Sequence, residues 1–182
     1  ANGLIGGFLS DFFCYLNDQY DLQITLFLTS YSAPHKARRL THLLGRSDVT
    51  YFSWDSATPF PTGAPWALVS PQIDYCFFCS GYGQPSKFLQ DGVKTALLNV
   101  VGPESILRYM QTAGGGKFLY MSSSEIYGNT PCEEAPTKES YPVMFTLQDN
   151  RCAYKVAKAL GEVICNEYDD DPALTVRIAR VA

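Results

Sequence analysis

Tyr154-Lys155-Val156-Ala157-Lys158 sets a phenol and an ammonium four positions apart in a stretch of helical period. On a helix that spacing puts both on one face, one turn apart. A phenol with an ordinary pKa of about 10 is a poor base near neutrality, and a neighbouring ammonium favours its phenolate form. Such a phenolate could take the proton of a substrate hydroxyl while hydride leaves the same carbon for a nicotinamide, with Lys158 also free to bond the nicotinamide ribose. Taken alone, the same spacing also describes an exposed helix pair.

A second group of chemically able residues is Met121-Ser122-Ser123-Ser124-Glu125-Ile126-Tyr127-Gly128, directly after the apolar run Phe118 to Met121. Small hydroxyl residues at the C-terminal end of a parallel strand face the crevice where ligands bind. Ser123 could donate a hydrogen bond to a substrate oxygen whose charge changes, and Ser124 and Glu125 stand beside it. The plain alternative is a serine-rich turn. A third group is Ala1-Asn2-Gly3-Leu4-Ile5-Gly6, which matches the last two glycines of G-x-x-G-x-x-G. Glycines there let the backbone turn tightly and approach a pyrophosphate at a helix N-terminus, so Gly3, Leu4, Ile5 and Gly6 form a candidate phosphate loop.

These groups need elements to hold them. Short apolar runs at Ile24 to Leu28, Val49 to Phe52, Ile73 to Cys79, Phe118 to Met121 and Leu174 to Ile178 alternate with segments of helical period. That alternation predicts an α/β chain with a Rossmann-type, doubly wound parallel sheet. In the first helix Ile5, Phe8, Leu9, Phe12, Phe13 and Leu16 form one broad apolar stripe, and the helix is expected to end near Asn17. A second helix is predicted over Thr95 to Met110, interrupted or bent near Pro103, and a third over Tyr154 to Tyr168 with Ala157, Leu160, Ile164 and Tyr168 on one side. Residues Pro131 to Asn150 read as a surface loop. A sheet of this type normally opens on a strand that feeds the first helix. Residues 1–182 therefore read as a single nucleotide-binding domain, a fragment without its first strand and without a C-terminal substrate domain.

The apolar run ending Leu28-Thr29-Ser30-Tyr31 carries no carboxylate at the place where an acid usually holds the adenosine ribose of NAD. Ser30 could bond that ribose, or Lys36, Arg38 and Arg39 could meet a 2′-phosphate, so NAD and NADP both stay open; a solvated helix face is the plainer role for the basic trio. Asp55 is placed to meet the adenine edge.

Together, in this order and at these separations, the glycine loop, Asn99-Val100-Val101-Gly102, the serine string, the tyrosine and lysine, and Arg177-Ile178-Ala179-Arg180-Val181 resemble the extended short-chain dehydrogenases/reductases over essentially the whole chain. The resemblance implies that Ser123, Tyr154 and Lys158 form a catalytic triad. It also implies that Ser80 and Gly81 turn over the cofactor and that the chain works on a nucleotide-linked sugar as a homodimer. Within the family, Ser-Ser-Ser-Glu-Ile-Tyr-Gly is similar to the S-T-S-E-V-Y-G of UDP-glucuronate decarboxylases, whereas 4,6-dehydratases usually carry S-T-D-E-V-Y-G and 4-epimerases lack the glutamate. Glu125, or a water it orders, could then supply a proton. Ser123 departs from the decarboxylase threonine. A 4,6-dehydratase, a 4-epimerase, a reductase with net cofactor turnover and a non-catalytic NAD(P)-binding regulator are the competing expectations.

Bulk properties agree with an enzyme of this kind. A formal net charge of −4 offers no basic surplus for a nucleic-acid backbone. No apolar run approaches the roughly 20 residues of a membrane span, which points to a cytoplasmic protein. The six cysteines are scattered and read as reduced. Cys76 and Cys79 form a C-x-x-C, yet in a strand they would face opposite ways, so no metal site is expected.

Overall fold

A computed structural model describes residues 1–62 and 72–181. The fold is α/β and Rossmann-like, and its strands pair in parallel within two compact units, 1–56 and 57–182. Ala182 lies outside the described residues.

The first unit holds helix α1 (Leu4–Tyr20) and strands β1 (Leu26–Ser30) and β2 (Val49–Ser53), paired from Leu26↔Val49 to Ser30↔Ser53. Its core is Cys14, Leu26, Leu28, Ala37, Leu40 and Leu43, flanked by the partly buried Phe13, Ile24, Val49 and Tyr51. The expected apolar stripe of α1 is not the buried face. Gly7, Ser10 and Cys14 turn inward, Leu9, Phe13 and Leu16 are half-buried, and Ile5, Phe8 and Phe12 are exposed. Small side chains allow close packing, and Ser10 satisfies its hydroxyl by donating to the Gly6 carbonyl at 2.7 Å. The helix also runs one turn past Asn17, to a left-handed cap at Asp21 whose N–H returns to the Asn17 carbonyl. Asn17 is committed to the connection that follows: its amide bonds both the N–H and the carbonyl of Ile24, and donates to Asp48 at 2.9 Å.

The second unit holds β3 (Tyr75–Phe78), α2 (Pro85–Phe88), α3 (Gly92–Thr112), β4 (Gly116–Ser123), α4 (Cys152–Asp169) and β5 (Leu174–Val181). The strands run in the order β3-β4-β5. Aromatic side chains fill the core between sheet and helices, with Phe78 stacked on Phe118 and on Tyr120 at ring separations of 6.0 and 6.1 Å. Helix α3 starts at Asp91, whose carboxylate accepts the Lys94 N–H at 2.8 Å.

Pro103 lies inside α3 without ending it. Proline lacks an N–H, so the carbonyl four residues earlier, that of Asn99, loses its helical donor. Helix α4 approaches at that place through Gly161, where a Cβ would stand 2.8 Å from the Asn99 carbonyl and 2.2 Å from the Tyr120 hydroxyl. The inward face of α4 follows from that contact: Tyr154, Ala157, Lys158, Gly161 and Cys165 are buried, whereas Leu160, expected on the packed side, is exposed. The segment from 131 to 150 is irregular apart from a 3₁₀ turn at Cys132–Glu134. Cys76 and Cys79 are half-buried, all six cysteines are free, and burial pushes both of these thiols up. Among the described residues no helix is long and apolar enough to cross a membrane, and no cluster of three or more His, Cys, Asp or Glu could hold a metal.

Candidate active site

Strand β4 ends on Ser122 and Ser123, both buried, and the chain turns at once into a 3₁₀ turn, Ser124–Tyr127. The Ser123 hydroxyl caps that turn by accepting the Glu125 N–H at 3.3 Å. It also acts on the Tyr154 phenol, whose pKa it pulls down. The expected serine and tyrosine therefore meet, one from the end of a strand and the other from the first turn of α4.

Lys158 follows one turn later, but its role differs from the expectation that it lowers the Tyr154 pKa. Its ammonium donates to the Met121 carbonyl at 2.6 Å and lies 4.9 Å from the Tyr120 ring centre. Burial is the largest influence on Tyr154 and holds its phenol above the ordinary value; Ser123 and Arg151 oppose this and Glu125 adds to it. Burial also brings Lys158 down to about 8. A buried ammonium carries three donors, and among the described residues Met121 is its one hydrogen-bond acceptor. Gly81 lies alongside with φ at +147°, where a Cβ would stand 3.5 Å from the Lys158 nitrogen and 3.5 Å from Asn99 Oδ1. The space that a side chain would fill is therefore open beside a cation with unused donors. Ser80, next to Gly81, is half-buried.

Glu125 is engaged elsewhere. Its carboxylate forms a forked ion pair with Arg151, with Arg151 Nε donating to Oε2 at 3.1 Å and a shorter contact between Nη2 and Oε1. Both carboxylate oxygens of Glu125, expected to supply a proton, are thus turned to Arg151. Ser124 is half-buried in the same turn.

Several functional neighbours escaped the sequence reading. Arg151 stands three residues before Tyr154 and reaches the Phe88 ring, whose face stacks on Tyr154 at 4.6 Å and 15°. The buried Lys155 donates to Asp149 at 2.6 Å. Ser122 donates to the buried Glu162, which also binds Arg180 through bonds of 2.8 to 3.2 Å, and Arg180 reaches the Tyr127 hydroxyl at 2.8 Å and the Glu139 carbonyl at 2.7 Å. Glu162 four residues after Lys158 was the available signal, since that spacing keeps a residue on the same helix face.

In the first unit the start of α1 has no side-chain cap and no acidic residue in its first turn. A Cβ on Gly3 would meet nothing within 4 Å, whereas one on Gly6 would stand 2.9 Å from Ala1. Leu4 and Ile5 are exposed beside them. At the end of β1, Ser30 accepts the Ser32 N–H at 3.3 Å, and Asp55 is half-buried just past β2. Lys36, Arg38 and Arg39 are exposed on a 3₁₀ turn and the loop after it rather than on a long helix.

The model of the NAD dependent epimerase/dehydratase family matches residues 2–182. The chain is 23% identical over 146 residues, 80% of its length, to UDP-glucuronic acid decarboxylase 1 of Danio rerio, and 30% identical over 110 residues, 60% of its length, to the protein of that name in Arabidopsis thaliana. These matches span 32% and 25% of the two relatives. Among solved structures, UDP-glucuronic acid 4-epimerase of Bacillus cereus in complex with NAD superposes with a TM-score of 0.72 at 19% identity, covering 99% of this chain and 54% of that one. A dTDP-glucose 4,6-dehydratase of Streptomyces venezuelae with NAD bound gives 0.71 at 16% identity, covering 96% and 51%. The chain thus spans about half the length of these structures, and its family model covers nearly all of it. It belongs to the NAD dependent epimerase/dehydratase family.

Proposed function

We propose that this chain carries the cofactor-binding and hydride-transfer part of an enzyme that remodels a nucleotide-linked sugar by oxidising one of its hydroxyls transiently and then reducing it again. The observation that carries the reading is the buried Ser123–Tyr154 pair with the under-coordinated Lys158 ammonium one turn beyond. The residues fit a dinucleotide. Lys158 and the open space at Gly81 suit ribose hydroxyls, and the uncapped start of α1 at Gly3 and Gly6 suits a pyrophosphate. Ser80 would border the same ribose; Ser30 and Asp55 would serve the adenosine end.

A bound nicotinamide supplies the hydride acceptor for the oxidation and the donor for the return. The proton is handled by Tyr154. Its phenol, raised by burial, holds the proton that a keto oxygen needs on reduction. In the oxidative direction the same oxygen, once its own proton has left to solvent, takes the proton of the sugar hydroxyl as phenolate, and Ser123 donates to the charge that develops there. Lys158 orients the ribose.

UDP-glucuronate is the substrate the site favours. Oxidation beside a carboxylated carbon gives a β-keto acid, which loses CO2 without a base and leaves an enolate that takes one proton from water at the carbon that held the carboxylate; Glu125 is committed to Arg151. Ser124 stands where a dehydratase would have aspartate, and the sequence relatives carry the decarboxylase name. NAD is the expected cofactor, with NADP a variant of the same assay. We place the protein in the cytoplasm as a homodimer, supported by the exposed apolar side chains of Val93 and Leu97 on α3 and of Leu160 and Val163 on α4.

The test is to incubate full-length protein with NAD and UDP-glucuronate, follow CO2 release and sugar products, and repeat with Tyr154→Phe. Loss of the tyrosine should lower turnover by roughly 10²- to 10⁴-fold. Equal rates would rule out the catalytic assignment and favour a regulator. A 4-keto-6-deoxy product would identify a dehydratase, an inverted C4 an epimerase, and a lasting nicotinamide absorbance change a net reductase.

A further inference from the structure

Ser123 lowers the pKa of the Tyr154 phenol, and the ring has its own support. Phe88, the last residue of the short helix α2, is 3% exposed and stacks on the Tyr154 ring at 4.6 Å. The Arg151 guanidinium lies 5.2 Å from the centre of the same Phe88 ring. Arg151 and Tyr154 are three residues apart at the start of α4, so a single aromatic platform serves both. Arg151 is fixed in turn by the forked pair with Glu125, and the Glu125 N–H closes the circuit by donating to Ser123 Oγ.

We infer that Arg151, anchored by Glu125, and Phe88 are positioning residues that lock the Tyr154 ring in its reactive orientation through a closed ring of contacts, Ser123–Glu125–Arg151–Phe88–Tyr154. The inference rests on the hydride-transfer reading above. The circuit joins three separate pieces of chain: the turn after β4, the end of α2 and the start of α4. Each link restrains a different freedom. Ser123 acts on the phenol oxygen through its pKa, Phe88 fixes the ring plane, and the planar fork to Glu125 fixes the guanidinium against Phe88. The Glu125–Arg151 pair is partly exposed, with 28% and 37% of the two side chains accessible, so it adds little to folding and its value lies in geometry.

The charges around the phenol make the clamp measurable. From the turn after β4, Glu125 raises the Tyr154 pKa and the Ser123 hydrogen bond lowers it; from α4, Arg151 lowers it. Lys158, one turn on, is directed to the Met121 carbonyl and the Tyr120 ring, and α2 contributes the uncharged Phe88. Removing Arg151 therefore leaves Glu125 unopposed and moves the phenol titration to higher pH.

The experiment uses full-length protein with Cζ-labelled tyrosine, in which the NMR signal of Tyr154 is identified by its loss in Tyr154→Phe. In Arg151→Gln the titration of that signal moves to higher pH, and kcat on UDP-glucuronate falls roughly ten- to hundredfold with KM changed by less than about twofold. Arg151→Lys restores the titration but not kcat, because a lysine keeps the charge without the planar fork. Phe88→Leu lowers kcat and leaves the titration near that of the parent. An Arg151→Gln protein with the parent's titration and the parent's kcat would overturn the clamp. If the parent turns over no nucleotide sugar, the functional reading fails while the titration still decides whether Arg151 governs the phenol.

Discussion

The proposed function uses the first turns of both α1 and α4, and they are built in opposite ways. The start of α1 presents bare backbone: glycines, no capping side chain, no first-turn acid, and exposed neighbours in Leu4 and Ile5. At α4 the start is crowded with side chains, from the Arg151 fork through the stacked Tyr154 to the buried Lys155 and Lys158. The difference matches what each proposed role would need. A phosphate is recognised by free N–H groups and a helix dipole, which need space, whereas a proton transfer needs one oxygen held in one place, which needs packing.

Three changes would break or sharpen this contrast. The largest effect is expected from Gly161→Ala in the crowded unit. Alanine gains up to about 1 kcal/mol in helix propensity, but its methyl group would enter the Tyr120 hydroxyl and the Asn99 carbonyl, and overpacking a fixed core costs about 1–3 kcal/mol. Tyr120 is fully buried and its hydroxyl donates to Asn99 at 3.2 Å, so the ring has nowhere to go. Denaturant unfolding should show the loss of stability; an unchanged midpoint would mean that α4 is more loosely seated than its contacts imply.

A smaller effect is expected at the bare end. Gly6→Ala places a methyl 2.9 Å from Ala1 and displaces the backbone there, so NAD affinity measured by calorimetry should fall about tenfold while Tyr154 chemistry at saturating cofactor is preserved. A fall in kcat with unchanged affinity would contradict the division of labour.

The smallest effect is a pH dependence. Lys158 is held near 8 against an ordinary 10.5, so its positive charge, present below about 8, is lost as pH rises through that value. NADH binding should weaken severalfold between pH 7 and 9 in the parent and be flat in Lys158→Met. The sign for folding is the reverse: between about 8 and 10.5 the unfolded chain binds the extra proton, so this group makes the protein more stable as pH rises across that window.

Much of this was legible in the chain. The strands at Leu26–Ser30, Val49–Ser53 and Gly116–Ser123 lie where apolar runs predict them, and the Ser123–Tyr154 meeting follows from a serine at a strand end and a tyrosine at a helix start. The buried face of α1 was not legible, because periodicity marks apolar residues and the packing chose Gly7, Ser10 and Cys14 for their small size. Pro103 was misleading for a related reason. A proline inside a helix is costly in isolation, and here the carbonyl it frees lies where Gly161 brings α4 in close.

By itself, then, the order of residue types determined the alternation of strand and helix and singled out the candidate reactive set, because hydrophobic period and motif spacing are local properties of the chain. The tertiary structure alone decided that Glu125 belongs to Arg151, that Lys158 turns to Met121 rather than to its tyrosine, and that Phe88 lies against Tyr154. Those partners come from separate elements, and no local spacing encodes which side chains packing will bring within a few ångströms of each other.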